Sequence, residues 1–307
     1  MSRYRPTPTK GALLRAFAGV APPTEITQDA YDSDRGHLRR LVRLRRENLA
    51  DRHDLWCYAH DVLYTEIQSD LLRYLLPFCL DAWRHDLRDL DYEYDGFVEY
   101  FYPMLAHRRI FEEHLTAKQA DAVSAFLRQS ILEEMDTRRG LAFSTNRVRP
   151  SPHSMIGALT TYGVLRPDIE RLWTAWWSVD SPGRAVTALQ YVSCLIYADE
   201  NPVFAPWTCR GCGGAPCLWD FVGALYSHRW LEPNVEFLRR TLTVPAIVDV
   251  VERAMQRLTG EAEYSVAQRI RTDLPLQMVR LESRCLELPQ RLAIPRDLDI
   301  LPFDWTL

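Results

Sequence analysis

Residues 208–217 read TCRGCGGAPC and set Cys209, Cys212 and Cys217 among three glycines. The two-residue gap between Cys209 and Cys212 lets both thiolates turn toward one point. Glycines after the second cysteine supply the positive φ and close backbone approach of a zinc knuckle. Cys217 is then a third ligand. A structural zinc ion takes four, and with no second Cys-x-x-Cys the fourth falls to His228, on the segment that follows, or to Cys194, before it. Two other readings stay open. One is a turn holding three reduced thiols, with Cys217 at the start of a helix. The other is a redox pair, which belongs at a strand-to-helix junction that this sequence does not offer.

A second set of residues points to association. In RDLDYEYDGFVEYFYPML, residues 88–105, Asp91, Glu93 and Asp95 alternate with Tyr92 and Tyr94, and further aromatics follow. Tyrosine brings broad amphipathic area with few rotors to freeze, and interfaces are enriched in it. An acidic, aromatic surface suits a basic protein partner such as a toxin or effector domain, since complementary charge speeds encounter. The opposing reading is a wet loop whose aromatics enter a core. The run Arg39, Arg40, Arg43, Arg45 and Arg46 reads as a solvated helix face paired with carboxylates rather than a phosphate grip. Trp173, Trp176 and Trp177, spaced by three and four, share one helix face and read as core.

Three His-Asp dipeptides occur, His53-Asp54, His60-Asp61 and His85-Asp86. His60 and Asp61, with His37 upstream, resemble the pattern of all-helical phosphohydrolases in which a lone His, an adjacent His-Asp and a later Asp bind one or two metals. Neighbouring helix residues point about 100° apart, so a shared ion needs the other ligands to converge. That makes a metal-dependent hydrolase the alternative function, against ordinary surface or capping histidines.

The elements that must hold these residues are helices. Only 13 of 307 residues are glycine, and long apolar/polar alternation is scarce, so hairpins have little to form from. Apolar periods of three and four run through most of the chain. Residues 62–83, VLYTEIQSDLLRYLLPFCLDAW, are apolar all round and predict one helix packed on several sides, kinked or broken at Pro77. Thr116 and Gln119 form a capping box before the periodic run 117–135. Pro182 and Pro245 mark first turns. Residues 140–152 carry loop chemistry, and residues 292–307 read as an extended tail.

The expected architecture is all-α: an N-terminal helical domain, 1–145, packed on an irregular array of helical hairpins, 146–307, with the cysteine-rich loop at 205–217. No stretch of about 18 apolar residues or secretory leader is seen, and the cysteines form no extracellular framework, so a soluble cytoplasmic protein is expected. The formal charge of −4 argues against nucleic acid as the principal partner. Phosphate loops, Gly-x-Ser-x-Gly elbows, His-Glu-x-x-His and dinucleotide fingerprints are absent from the sequence.

Residues 12–29, 71–83 and 115–127 together resemble a family of uncharacterised bacterial helical proteins. That family opens on Ala-Phe-x-Gly-Val and Ile-Thr, and continues through a Tyr-x-Leu-Pro helix and a Leu-Thr-x-x-Gln helix. The resemblance covers about the first half of the chain and transfers no catalytic residue. Such families sit in toxin–immunity neighbourhoods, so it implies protein binding, with an immunity or antitoxin-like protein that occludes its partner as the concrete form. If the cysteine loop is a knuckle, elemental analysis of purified protein finds about one zinc ion, lost on replacing Cys209 and Cys212 by serine. Zinc-free wild-type protein overturns the knuckle.

Overall fold

The computed structural model describes residues 8–31, 35–43, 52–89, 100–101, 103–105, 109–139, 169–197 and 230–293. The protein is all-α, with no strand among the described residues. It divides into two compact units, Met1–Ser130 with Asp299–Leu307, and Ile131–Leu298. The loop-like residues 140–152 and most of the tail lie outside the described residues.

In the first unit, α1 (Pro8–Ala16) buries Leu13, and Phe17 just beyond it is equally enclosed. α2 (Gly36–Leu41) packs on α3 (Arg52–Tyr64), which meets α4 (Ser69–Asp89). The single helix expected over 62–83 is in fact two. The sequence signal for the break is Gln68-Ser69-Asp70. Asp70, in the first turn of α4, accepts the Leu71 N–H on Oδ1 at 2.8 Å and so satisfies one of the donors left open at the helix start. The Gln68 amide meanwhile ties the turn to the segment before α2, accepting from Thr27 N at 2.8 Å and donating to Glu25 O at 2.8 Å.

No break falls at Pro77, which sits inside the continuous α4. A mid-helix proline costs about 3 kcal/mol. Here Leu72, Leu75, Leu76 and Leu80 around it are wholly buried, and each contributes about 1.5–3 kcal/mol. A π-helical turn, Ile110–His114, follows the left-handed Arg109 and leads to α5 (Ala117–Thr137). The capping box of α5 is as expected: Gln119 N donates to Thr116 Oγ1 at 3.3 Å, and Thr116 N to Gln119 Oε1 at 3.1 Å.

The second unit takes in the end of α5 from Ile131 and contains α6 (Ile169–Trp177), α7 (Pro182–Ile196), α8 (Glu232–Thr241), α9 (Val244–Arg257), α10 (Tyr264–Asp273), a short 3₁₀ turn (Leu274–Gln277) and α11 (Met278–Ala293). α7 is central and packs against α6, α9, α10 and α11. Its start joins Pro182 in the first turn to a Ser181 hydroxyl that accepts the Arg184 N–H. Trp173, Trp176 and Trp177 are core, as their spacing predicts, and surround Tyr191 of α7 with their centroids 5.4–6.1 Å from its own. Two arginines of α11 cap the far end of α7: Arg280 donates to Ile196 O at 3.2 Å, and Arg284 to Tyr197 O at 2.9 Å.

Among the described glycines the tightest approach is at Gly183, within the second unit. A Cβ there would lie 2.3 Å from Met135 O and 2.4 Å from Asp136 O at the end of α5. Arg184 fixes the same contact by pairing with Asp136, its Nε 2.8 Å from Oδ1. Backbone oxygens cannot rotate aside, so Gly183→Ala should lower unfolding free energy by about 2 kcal/mol or more. Urea denaturation reads this as a lower midpoint at unchanged slope. An unchanged midpoint would show that the helices separate freely.

Candidate functional site

α3 shows three faces, and each has a different task. The inner one carries Leu55, Tyr58, Ala59 and Val62, all at most 1% exposed. Beside it, Asp54 and Asp61 are buried carboxylates two turns apart on the same side. They meet His37 and Arg40, which share a face of α2, in antiparallel order. Arg40 clasps Asp54, with Nε donating to Oδ2 at 2.8 Å and Nη2 to Oδ1 at 2.5 Å. His37 Nε2 lies 2.6 Å from Asp61 Oδ2, with the two side chains only 4% and 3% exposed. An ionised carboxylate only accepts, so the ring nitrogen carries the proton and donates it. The other oxygen, Asp61 Oδ1, accepts the Tyr31 N–H at 2.9 Å.

That last bond holds Tyr31 against the third, outward face. His53, Trp56, His60 and Tyr64 recur along it at helical spacing, with His53 exposed and the others half-buried. His53 and Trp56 are parallel at 5.8 Å, and Trp56 and His60 at 5.7 Å. Tyr31 leans on His60 at 5.1 Å and on Tyr64 at 4.6 Å. From the other side Tyr100 sets its ring perpendicular to Trp56 at 5.2 Å and to His60 at 4.7 Å. Aromatic pairs of this kind add about 0.5–1.5 kcal/mol beyond area burial. They make a stiff surface whose rings still reach solvent, and Tyr31 is 48% exposed.

Of the residues singled out from the sequence, Cys209, Cys212, Cys217, His228 and Asp91, Tyr92, Glu93, Tyr94 and Asp95 lie outside the described residues, as does the Cys194 side chain. Tyr100 belongs to the same acidic stretch and does reach the stripe. His37 and Asp61 come together, while His60 joins the aromatic rings instead. Among the described residues no three His, Cys, Asp or Glu side chains gather as an ion would require, so the hydrolase alternative gains no support from them. His37 is neither a surface nor a capping histidine: it is enclosed, because Asp61 needs a donor there. In the arginine run, Arg39 and Arg43 are exposed and Arg40 pairs with Asp54, as a solvated face requires.

The stripe escaped the sequence reading, although the spacing 53, 56, 60, 64 is visible once α3 is placed. Tyr31 carries no local signal, whereas Tyr100 belongs to the aromatic, acidic stretch 88–105. The arrangement defines a helical unit presenting an ordered aromatic and imidazole face. No protein-family model, curated protein or solved structure matches the chain.

The face depends on Asp61. Asp61→Ala leaves the His37 Nε2–H and the Tyr31 N–H without their acceptor, and should destabilise the protein by about 3–5 kcal/mol. Thermal and urea unfolding measure the loss, and tryptophan emission should shift as Tyr31 leaves the face. A change within about 1 kcal/mol would show that water satisfies these donors equally well.

Proposed function

We propose that this is a bacterial, cytoplasmic binding protein of the immunity or antitoxin type, which neutralises a basic protein partner by covering it. One observation carries the reading: the half-exposed stripe His53, Trp56, His60 and Tyr64, braced by Tyr31 and Tyr100. Aromatic anchors already fixed by neighbours lose little entropy on docking, which is what a hot spot needs. Tyr100 continues the acidic run that holds Asp91, Tyr92, Glu93, Tyr94 and Asp95, so anchors and negative charge adjoin along the chain. The anchors hold the partner, and the carboxylates draw it in. In this reading zinc on Cys209, Cys212, Cys217 and His228 is a structural rivet, and no membrane is engaged. No described helix is long and apolar enough to cross one.

Co-expression with the product of the neighbouring gene tests this directly. A stable complex is expected, weakened about 30-fold by Trp56→Ala, which corresponds to about 2 kcal/mol. Changing Asp91, Glu93 and Asp95 together to their amides should slow association and flatten its salt dependence while sparing dissociation. Circular dichroism confirms that each variant is folded. Absence of a complex, or a complex indifferent to both sets of changes, overturns the reading.

A further inference from the structure

Beside the aromatic rings, α3 carries another pair of chemistry-bearing side chains. His53 and Cys57 stand one turn apart, with imidazole Nε2 and thiol Sγ 3.7 Å from each other. A tetrahedral zinc ion bound to a thiolate at about 2.3 Å and an imidazole at about 2.0–2.1 Å holds that sulfur and nitrogen about 3.5–3.6 Å apart. The separation in the protein is therefore within about 0.2 Å of the bite of the ion. We propose that His53 and Cys57 form a two-ligand clasp for a borderline-soft divalent cation, zinc foremost, with water filling its remaining positions.

Access and order both favour such an ion. His53 is exposed and Cys57 half-buried, so a cation enters from solvent. On binding, the ion replaces the thiol proton of Cys57. Each ion bound thus forms one Zn–S and one Zn–N bond and releases one proton to water. The His53 ring is already set parallel to Trp56, and the helix fixes both ligand stems. One sulfur and one nitrogen select zinc over the oxygen-seeking magnesium and calcium. Among the described residues no further His, Cys, Asp or Glu completes the set. The clasp is therefore open and exchangeable, unlike a closed structural knuckle.

The clasp does not depend on the partner reading. It is tested on the full-length wild-type protein and on a variant with Cys209, Cys212 and Cys217 all changed to serine, which removes any ion held there. Titration with Co²⁺, followed by the near-ultraviolet thiolate band, and calorimetry with Zn²⁺ in buffers of different ionisation enthalpy, count ions and protons. One exchangeable equivalent releasing one proton is expected in both backgrounds, lost with Cys57→Ser and with His53→Gln but kept with Cys285→Ser. Should the triple variant fail to fold, the loss of one equivalent between wild type and Cys57→Ser supports the clasp in its place. Binding unchanged by either substitution, or no exchangeable ion at all, overturns it.

Discussion

A carboxylate taken out of water must find donors for its charge, and Asp61 is where the first unit meets that demand. Its two oxygens accept from His37 on α2 and from the backbone of Tyr31. Neither donor is near it in sequence, so satisfying this one group draws three pieces of chain together. Arg40 and Asp54 repeat the logic one rung along and fix the antiparallel register of α2 on α3. A six-residue helix such as α2 is too short to persist on propensity alone. Its order comes from these rungs and from Leu38 and Leu41, which are at most 1% exposed. The outward face inherits its geometry, because the backbone bond that satisfies Asp61 also holds the Tyr31 ring beside His60 and Tyr64.

What the sequence revealed was whatever is encoded locally. Thr116 and Gln119 announce the start of α5, Pro182 that of α7, and the tryptophan spacing a buried stripe, because capping and helical period need only a few neighbouring residues. Errors arose where distant groups decide. Residues 62–83 look like one helix until Gln68 is seen fastened to residues 25–28, a contact across some forty positions of chain. Pro77 argues for a break that surrounding leucines override. α11 is obscured in the sequence by Pro289 inside it and Pro275 just before it, although Leu281, Cys285, Leu288 and Leu292 keep helical spacing on its buried side. The candidate face divides the same way: its α3 residues are legible in principle, Tyr100 lies in the stretch 88–105 that its composition marks, and Tyr31 is legible only in three dimensions.

The two aromatic clusters show that residue type alone does not separate scaffold from surface. Trp173, Trp176, Trp177 and Tyr191 are each no more than 7% exposed, and Trp176 Nε1 donates to Thr187 Oγ1 at 3.0 Å. Their rings are used up on one another and on α7, and contribute to stability. On α3, Trp56 stacks parallel to His53 and His60 and meets Tyr100 edge to face, yet these rings stay partly in water. Histidine at two of the four stripe positions sharpens the contrast. Imidazole buries poorly for its size and adds a nitrogen ligand, so a merely structural stripe would be better built from leucine or phenylalanine. A face that keeps imidazole, indole, phenol and a thiol together at the solvent boundary is what the proposed docking of another molecule would use.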